Sequence, residues 1–386
     1  MYIAILTVGP PEKNYGGILQ CLALQNLLKD KGHIVDVIRF RYEVNNGVFR
    51  KIALFVSLVF NKYGSFKDFV VDFVLAKIYH KTKPVYDEML QSRHLFISKN
   101  INFTELVNEY TIGSIAKKYD AIIIGSDMVW SSMGKKYLIH LFDWEPEFEG
   151  LRFSYAACAS YENVPNINRK KAKKLFKKFD ALSVRDNTTS NLVYNAAGIN
   201  PLIVADPTLL YDFKNFIGSA QYNESYIFVY ILGDRIKGKG SHNTVISQIQ
   251  EKYGKQKIIA IVMSEISIDA ESFADKVIYN ASPEDWINLI YYARFVYTDS
   301  FHGCIFSLKY KKQFLAYYTY AVRATRLLDL SKRYKLDKYI VSSIADMTEK
   351  KSIVEPIQYN TIDPVINKHI ADSKQFLFEL FEPGNL

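Results

Sequence analysis

Short apolar runs alternate with stretches whose apolar residues recur at helical spacing along most of the chain. Residues 2–8 predict a first strand, 18–31 an amphipathic helix and 34–40 a second strand, a βαβ opening. The loop between them contains Gly9-Pro10-Pro11, and Asn14, Tyr15, Gly16 and Gly17 introduce the helix. Further strands are expected at 119–125, 153–160 and 180–184, and the segment 202–208 closes this first series. A second series starts near Ser225, with strands at 226–232 and 257–262 and a helix at 241–253. Ser282-Pro283 then starts a helix with Ser as N-cap and Pro at the first helical position. That helix leads to a short buried strand ending near Tyr297, another strand at 313–318, and a final helix at 361–381.

Between about residues 45 and 100 the pattern changes. The pieces 52–60 and 69–79 are apolar at helical spacing and laced with lysine, which suits either packing on the sheet or an in-plane membrane contact. The expected class is therefore α/β, with 386 residues too many for one ordinary core. Residues 1–210 are expected to form a first α/β domain with a helical insertion at about 45–100, and 211–360 a second one. Residues 361–386 form a terminal helix free to cross back to the first domain.

Composition is globular, 49% hydrophobic with 28 Tyr and 25 Phe. A net charge of +9 fits an anionic substrate, an anionic membrane surface or nucleic acid. Much of it lies in 169–178, where Ala172, Leu175, Phe176 and Phe179 share one helical face and leave a basic one. That basic face is either solvated surface or a phospholipid contact. No nucleic-acid-binding signature accompanies it, which argues against nucleic acid. Three widely spaced cysteines fit neither a disulfide framework nor a thiolate zinc site. The first residues lack a basic n-region and read as a strand, and no apolar run reaches the ~18–20 residues of a bilayer span. A cytoplasmic setting is expected, with a peripheral place on the inner face of the cell membrane left open.

The candidate chemistry lies at strand ends. Gly125-Ser126-Asp127 predicts a turn from strand to helix; Ser126 and Asp127 either cap that helix or bind sugar hydroxyls, with Trp130 as a stacking face. Arg185 ends the strand 180–184 and is either a fork for carboxylate or phosphate, or the partner of Asp186 or Asp206. His302 lies beside Asp299, Ser300 and Gly303 where a strand feeds a helix, the place where open α/β sheets present chemistry. A histidine there can move a proton near neutral pH, or cap the helix. Cys304, two residues on, falls on an apolar run and packs as a small hydrophobe. Arg323 and Arg326 follow the next strand. Two sheet domains with polar strand ends on a shared crevice suit a transferase.

Six segments, in order, resemble the polysaccharide pyruvyl transferases over roughly residues 1–330. They are Asn14-Tyr-Gly-Gly-Ile-Leu-Gln20, Gly125-Ser-Asp-Met-Val-Trp130, Ser154-Tyr-Ala-Ala157, Ser183-Val-Arg-Asp186, Asp206-Pro-Thr-Leu-Leu210 and Thr298-Asp-Ser-Phe-His-Gly303. The resemblance implies two Rossmann-like domains arranged as in GT-B glycosyltransferases. It also implies transfer of the enolpyruvyl-derived group of phosphoenolpyruvate onto a sugar as a pyruvate ketal, the sugar belonging to a polysaccharide or its lipid-linked precursor. Phosphoenolpyruvate is then a co-substrate, and neither a cofactor nor a metal is required. His302 becomes the general acid, and Arg185, Ser300 and Gly303 meet the donor. Asn14, Tyr15, Gly16, Gly17, Ser126, Asp127 and Trp130 fall on the acceptor side, in the first domain. Some members carry Arg two residues before the His, where this chain has Ser300; Arg323 or Arg326 is expected to supply the missing charge. Two other classes fit the same residues: a glycosyltransferase using a nucleotide sugar, and a noncatalytic glycan-binding protein.

Overall fold

The apolar, β-branched runs form parallel strands because both faces of each sheet are covered, so residues on either side of the pleat must be buried. The computed structural model describes residues 1–8, 14–43, 83–144, 148–232, 242–262, 270–318 and 321–382. The chain divides into two units, Met1–Val56 with Ile97–Asp212 and Asn367–Leu386, and Ser57–Phe96 with Phe213–Ile366.

The first unit contains β1 (Tyr2–Leu6), β2 (Ile34–Phe40), β3 (Phe103–Val107), β4 (Ala121–Ile124), β5 (Leu151–Ala157), β6 (Ala181–Val184) and β7 (Leu202–Ile203). They pair in parallel in the order β3-β2-β1-β4-β5-β6-β7. Strand order reverses between β1 and β4, where Leu6 faces Ile124 in register. Such a reversal opens a crevice at the carboxyl ends of the two strands. Trp130, Phe142 and Phe176 anchor the core on one side of this sheet.

The second unit contains β8 (Tyr226–Ile231), β9 (Lys257–Val262), β10 (Lys276–Ile278), β11 (Phe295–Thr298), β12 (Gln313–Tyr317) and β13 (Ile340–Val341). Their parallel order is β10-β9-β8-β11-β12-β13, with the reversal between β8 and β11. The helix Pro283–Tyr292 that precedes β11 starts with a reciprocal capping box between Ser282 and Asp285. Each unit is Rossmann-like.

Three local expectations are corrected. The turn after β4 does not become a helix. The Asp127 carbonyl instead accepts from Val129 N at 2.7 Å and Cys158 N at 3.0 Å, tying the chain to the end of β5, and Asp127 adopts φ 78°. Tyr15, Gly16 and Gly17 are not a loop but the first turn of the helix Tyr15–Lys29, which Asn14 caps through its side chain. The expected insertion, where described, is the helix Lys83–Asn100; its residues up to Phe96 belong to the second unit, with Phe96 against Phe216 at 5.5 Å. The pieces 52–60 and 69–79, like Gly9-Pro10-Pro11, lie outside the described residues.

The final helix, Tyr359–Glu379, begins in the second unit, where Tyr359 donates to the Ser307 carbonyl at 3.3 Å. From Asn367 on the chain belongs to the first unit, where Ser373 Oγ accepts from Ala205 N at 2.8 Å. Among the described residues no helix is long and apolar enough to cross a membrane.

Candidate active site

In the second unit the carboxyl ends of β8 and β11 are laced together at the strand-order reversal. Thr298 Oγ1 donates to the Tyr230 carbonyl at 2.5 Å and accepts from Ser300 N at 3.0 Å. Asp299 Oδ1 accepts from Leu232 N at 2.6 Å. Ser300 then caps the helix Phe301–Lys309, its Oγ accepting from Gly303 N at 3.2 Å. His302 is the second residue of that helix, 4% exposed, with the Phe301 ring edge-on at 5.2 Å. An imidazole is thus held at a helix N-terminus, a position that also favours an anion through the dipole and the end N–H groups.

Ser300, not His302, is the helix cap. Ser300 and Gly303, both expected to meet the donor, are bonded to each other instead. The glycine has a steric reason: a Cβ at Gly303 would lie 2.6 Å from Thr298 Oγ1, closer than real contacts allow. Gly303→Ala should therefore push the helix start off β11, costing about 1–3 kcal/mol of stability. It should also lower activity by more than the fraction unfolded accounts for. Wild-type turnover at a matched folded fraction would contradict this reading of Gly303.

Cys304 is fully buried, and burial followed by the nearby Asp299 charge pushes its thiol well above the ordinary range, as expected for packing rather than chemistry. Arg323 and Arg326 lie one turn apart on the helix Ala321–Tyr334. Arg326 is half-buried, and the side chain of Arg323 falls outside what is described.

In the first unit the reversal between β1 and β4 is lined by a polar chain. Thr7 Oγ1 donates to the Ser126 carbonyl at 2.8 Å, and Gln20 Nε2 donates to Thr7 Oγ1 at 3.1 Å and to the Gly17 carbonyl at 3.0 Å. Ser126 Oγ donates to Asp206 Oδ2 at 3.1 Å, the oxygen that also receives Arg185 Nη1 at 2.7 Å. Asp127 Oδ1 lies 3.7 Å from Arg185 Nη2. Asp206 Oδ1 is occupied by the amide and hydroxyl of Thr208, at 3.0 and 2.7 Å. Burial alone would lower the Arg185 pKa; Cys158, Asp206 and Asp127 outweigh it and hold the guanidinium charged.

Ser126, Asp127 and Arg185 thus converge, but the Arg185 side chain is only 2% exposed and committed to Asp206. This corrects the expectation of an open fork for the donor. Trp130 is 1% exposed, donates to the His140 carbonyl at 2.9 Å, and meets Phe176 edge-on, so it is core and not a stacking face. Tyr15 is likewise buried, and the Asn14 side-chain oxygen is held by Gly16 N at 2.9 Å.

Two polar groups escaped the sequence reading. Gln20 was visible only as one amide on an otherwise apolar helix face. His140 gave no strand-end signal, yet its Nε2 lies 3.0 Å from the Thr7 carbonyl. The carbonyl can only accept, so Nε2 carries the proton in the neutral ring. Burial pushes the His140 pKa down to about 4. The folded chain therefore resists protonation while the unfolded chain takes it up below ~6.5, so stability is complete above that pH and falls as pH drops toward 4. The loss should approach about 3 kcal/mol, and His140→Gln should flatten it. Denaturant midpoints at neutral pH and near pH ~5 measure the difference; identical pH dependence in the variant would refute it.

A sequence model described as polysaccharide pyruvyl transferase matches residues 14–320. No curated protein matches the chain significantly. Among solved structures, S. aureus MnaA with UDP aligns over 100% of this chain and 99% of its own, at 9% identity and TM-score 0.50. UDP-GlcNAc 2-epimerase from Methanocaldococcus jannaschii, in complex with UDP-GlcNAc and UDP, aligns over 98% and 99% at 13% identity and TM-score 0.50. At such identity these likenesses show the fold alone, which agrees with two Rossmann-like domains.

Proposed function

The chain belongs to the polysaccharide pyruvyl transferase family, and from that premise we propose that it uses phosphoenolpyruvate to build a pyruvate ketal on a sugar. The observation that carries this reading is the place of His302, at the strand-order reversal of the second sheet and on a helix N-terminus. A proton donor and an anion-favouring backbone end occupy one spot, which is what an enol phosphate needs.

The imidazolium of His302 gives its proton to the methylene carbon, leaving cationic character at C2. A sugar hydroxyl adds there and the C2–O bond to phosphate breaks, releasing inorganic phosphate. A second hydroxyl of the same sugar then closes the ketal. Of the two hydroxyl protons, one restores His302 and the other leaves with the phosphate or solvent. Ser300 stands where an arginine would neutralise the donor, so Arg323 and Arg326 are assigned its anionic ends. Arg185 takes a positioning part: through Asp206 it holds Ser126 in place. Asp127 is assigned to the acceptor, and Ser126, fully buried with its hydroxyl on Asp206, holds the turn that carries it.

The test compares donors. A ligand of the folded state raises the melting temperature according to its concentration over Kd. Phosphoenolpyruvate should stabilise the chain and uridine nucleotides should not, and phosphate release from phosphoenolpyruvate should appear with some member of a panel of glycosides. Stabilisation by uridine nucleotides alone would favour a nucleotide-sugar glycosyltransferase. Absence of phosphate release with every glycoside, despite binding, would favour a noncatalytic glycan-binding protein.

A further inference from the structure

The helix Arg169–Phe176 places its apolar residues inward, Ala172, Leu175 and Phe176 being buried. Its outward face, continued by the two residues that follow, exposes Arg169, Lys170, Lys173, Lys174, Lys177 and Lys178. No acid stands in the first turn, although the helix dipole favours acids there and disfavours cations. Helix stability alone would not select this arrangement.

The basic face continues onto the loop before β5. Asn168 Nδ2 donates to the carbonyls of Met133 and Lys135 at 2.6 and 2.7 Å, and Lys171 Nζ donates to the Lys136 carbonyl at 3.1 Å and pairs with Asp143. The Tyr137 ring has Lys136 Nζ at 5.0 Å and Lys171 Nζ at 5.9 Å, and meets the Tyr110 ring at 6.1 Å. Tyr110 and Ile167 are each 65% exposed. Tyr110 follows β3 and Ile167 follows β5, so both belong to the carboxyl edge of the first sheet, the edge that carries Thr7, Ser126 and Arg185.

We infer that this surface, the basic helix with Tyr110, Tyr137 and Ile167, docks the enzyme on an anionic lipid bilayer. Cations supply the long-range attraction to acidic headgroups. Tyrosines suit the headgroup layer, having an apolar ring and a polar tip, and one protruding isoleucine reaches the acyl boundary. A nucleic acid or soluble polyanion would use the cations but has no need of an exposed isoleucine among them. Docking by this edge would bring lipid-anchored acceptors to the crevice side of the first sheet. The inference concerns where the enzyme works and holds whatever donor it uses.

Flotation of the full chain tests it, with vesicles of phosphatidylglycerol in phosphatidylcholine against pure phosphatidylcholine. The wild type should float only with the anionic vesicles, and less so at high salt. Replacing Lys173, Lys174, Lys177 and Lys178 together by Gln should lower the partition coefficient about 100-fold or more, since each surface cation contributes roughly five-fold. These side chains are exposed, so an unchanged melting temperature will show that the fold survives. Ile167→Ser should weaken binding about ten-fold while leaving its salt dependence intact. Failure of the wild type to float, flotation of the quadruple variant like wild type, or capture by a soluble polyanion without flotation would each overturn the inference.

Discussion

His302→Ala should lower kcat for phosphate release from phosphoenolpyruvate by ~10²–10⁴-fold, the range ordinary for a removed general acid. The KM for phosphoenolpyruvate should change little, because the proposed anion contacts come from the helix N-terminus and from Arg323 and Arg326. His302 is nearly buried, so alanine leaves a gap, and His302→Gln serves as the second variant. Glutamine fills the space and keeps a hydrogen-bond donor, but it cannot transfer a proton to carbon. Equal losses in both variants at wild-type melting temperature would identify proton donation as the missing step. Near-wild-type turnover by the glutamine variant would reduce His302 to a packing or binding role.

Arg185→Ala should be the most destabilising single change in the first unit, costing about 3–5 kcal/mol, because it strands a buried carboxylate. The ion pair to Asp206 is 2.7 Å long, and neither side chain is open to water to any useful extent. Ser126 and Thr208 donate to the two Asp206 oxygens, but they carry no charge to replace the guanidinium. Replacing both partners with apolar residues of similar size should recover most of the loss, since the pair itself adds little over a well-packed apolar contact. Chemical denaturation of the single and double variants separates these outcomes. A single-variant loss below about 1 kcal/mol would show that water reaches Asp206 or that the pair is not made.

The sequence foretold the sheets best where residues are apolar on both faces. The bounds of β2 and β9 agree with the periodicity, and the cap at Ser282 follows from local chemistry alone. The His302 loop was legible because a strand, a polar turn and a helical run follow one another without interruption. What failed were segments decided by distant partners. Asp127 takes φ 78° because its carbonyl pairs with Cys158, thirty-one residues further on, and no local signal announces that. The Gly16-Gly17 pair reads as a loop, yet burial of Tyr15 and the Asn14 cap carry the helix through it. Trp130, expected as a stacking face, is core: its bond to the His140 carbonyl and its contact with Phe176 come from residues that local sequence does not reveal. For Arg185 the ion-pair alternative, open on sequence, is realised with Asp206.

The central claim is that a proton passes from His302 to the methylene carbon of phosphoenolpyruvate on the way to a ketal. It is tested most directly by running the reaction in deuterium oxide, with a glycoside that supports phosphate release, and examining the product by mass spectrometry and NMR. The account predicts a pyruvate ketal whose methyl group carries a single deuterium, formed by the wild type and not by His302→Gln. A product that keeps its methylene as an enol ether, or a ketal methyl free of deuterium, would contradict it.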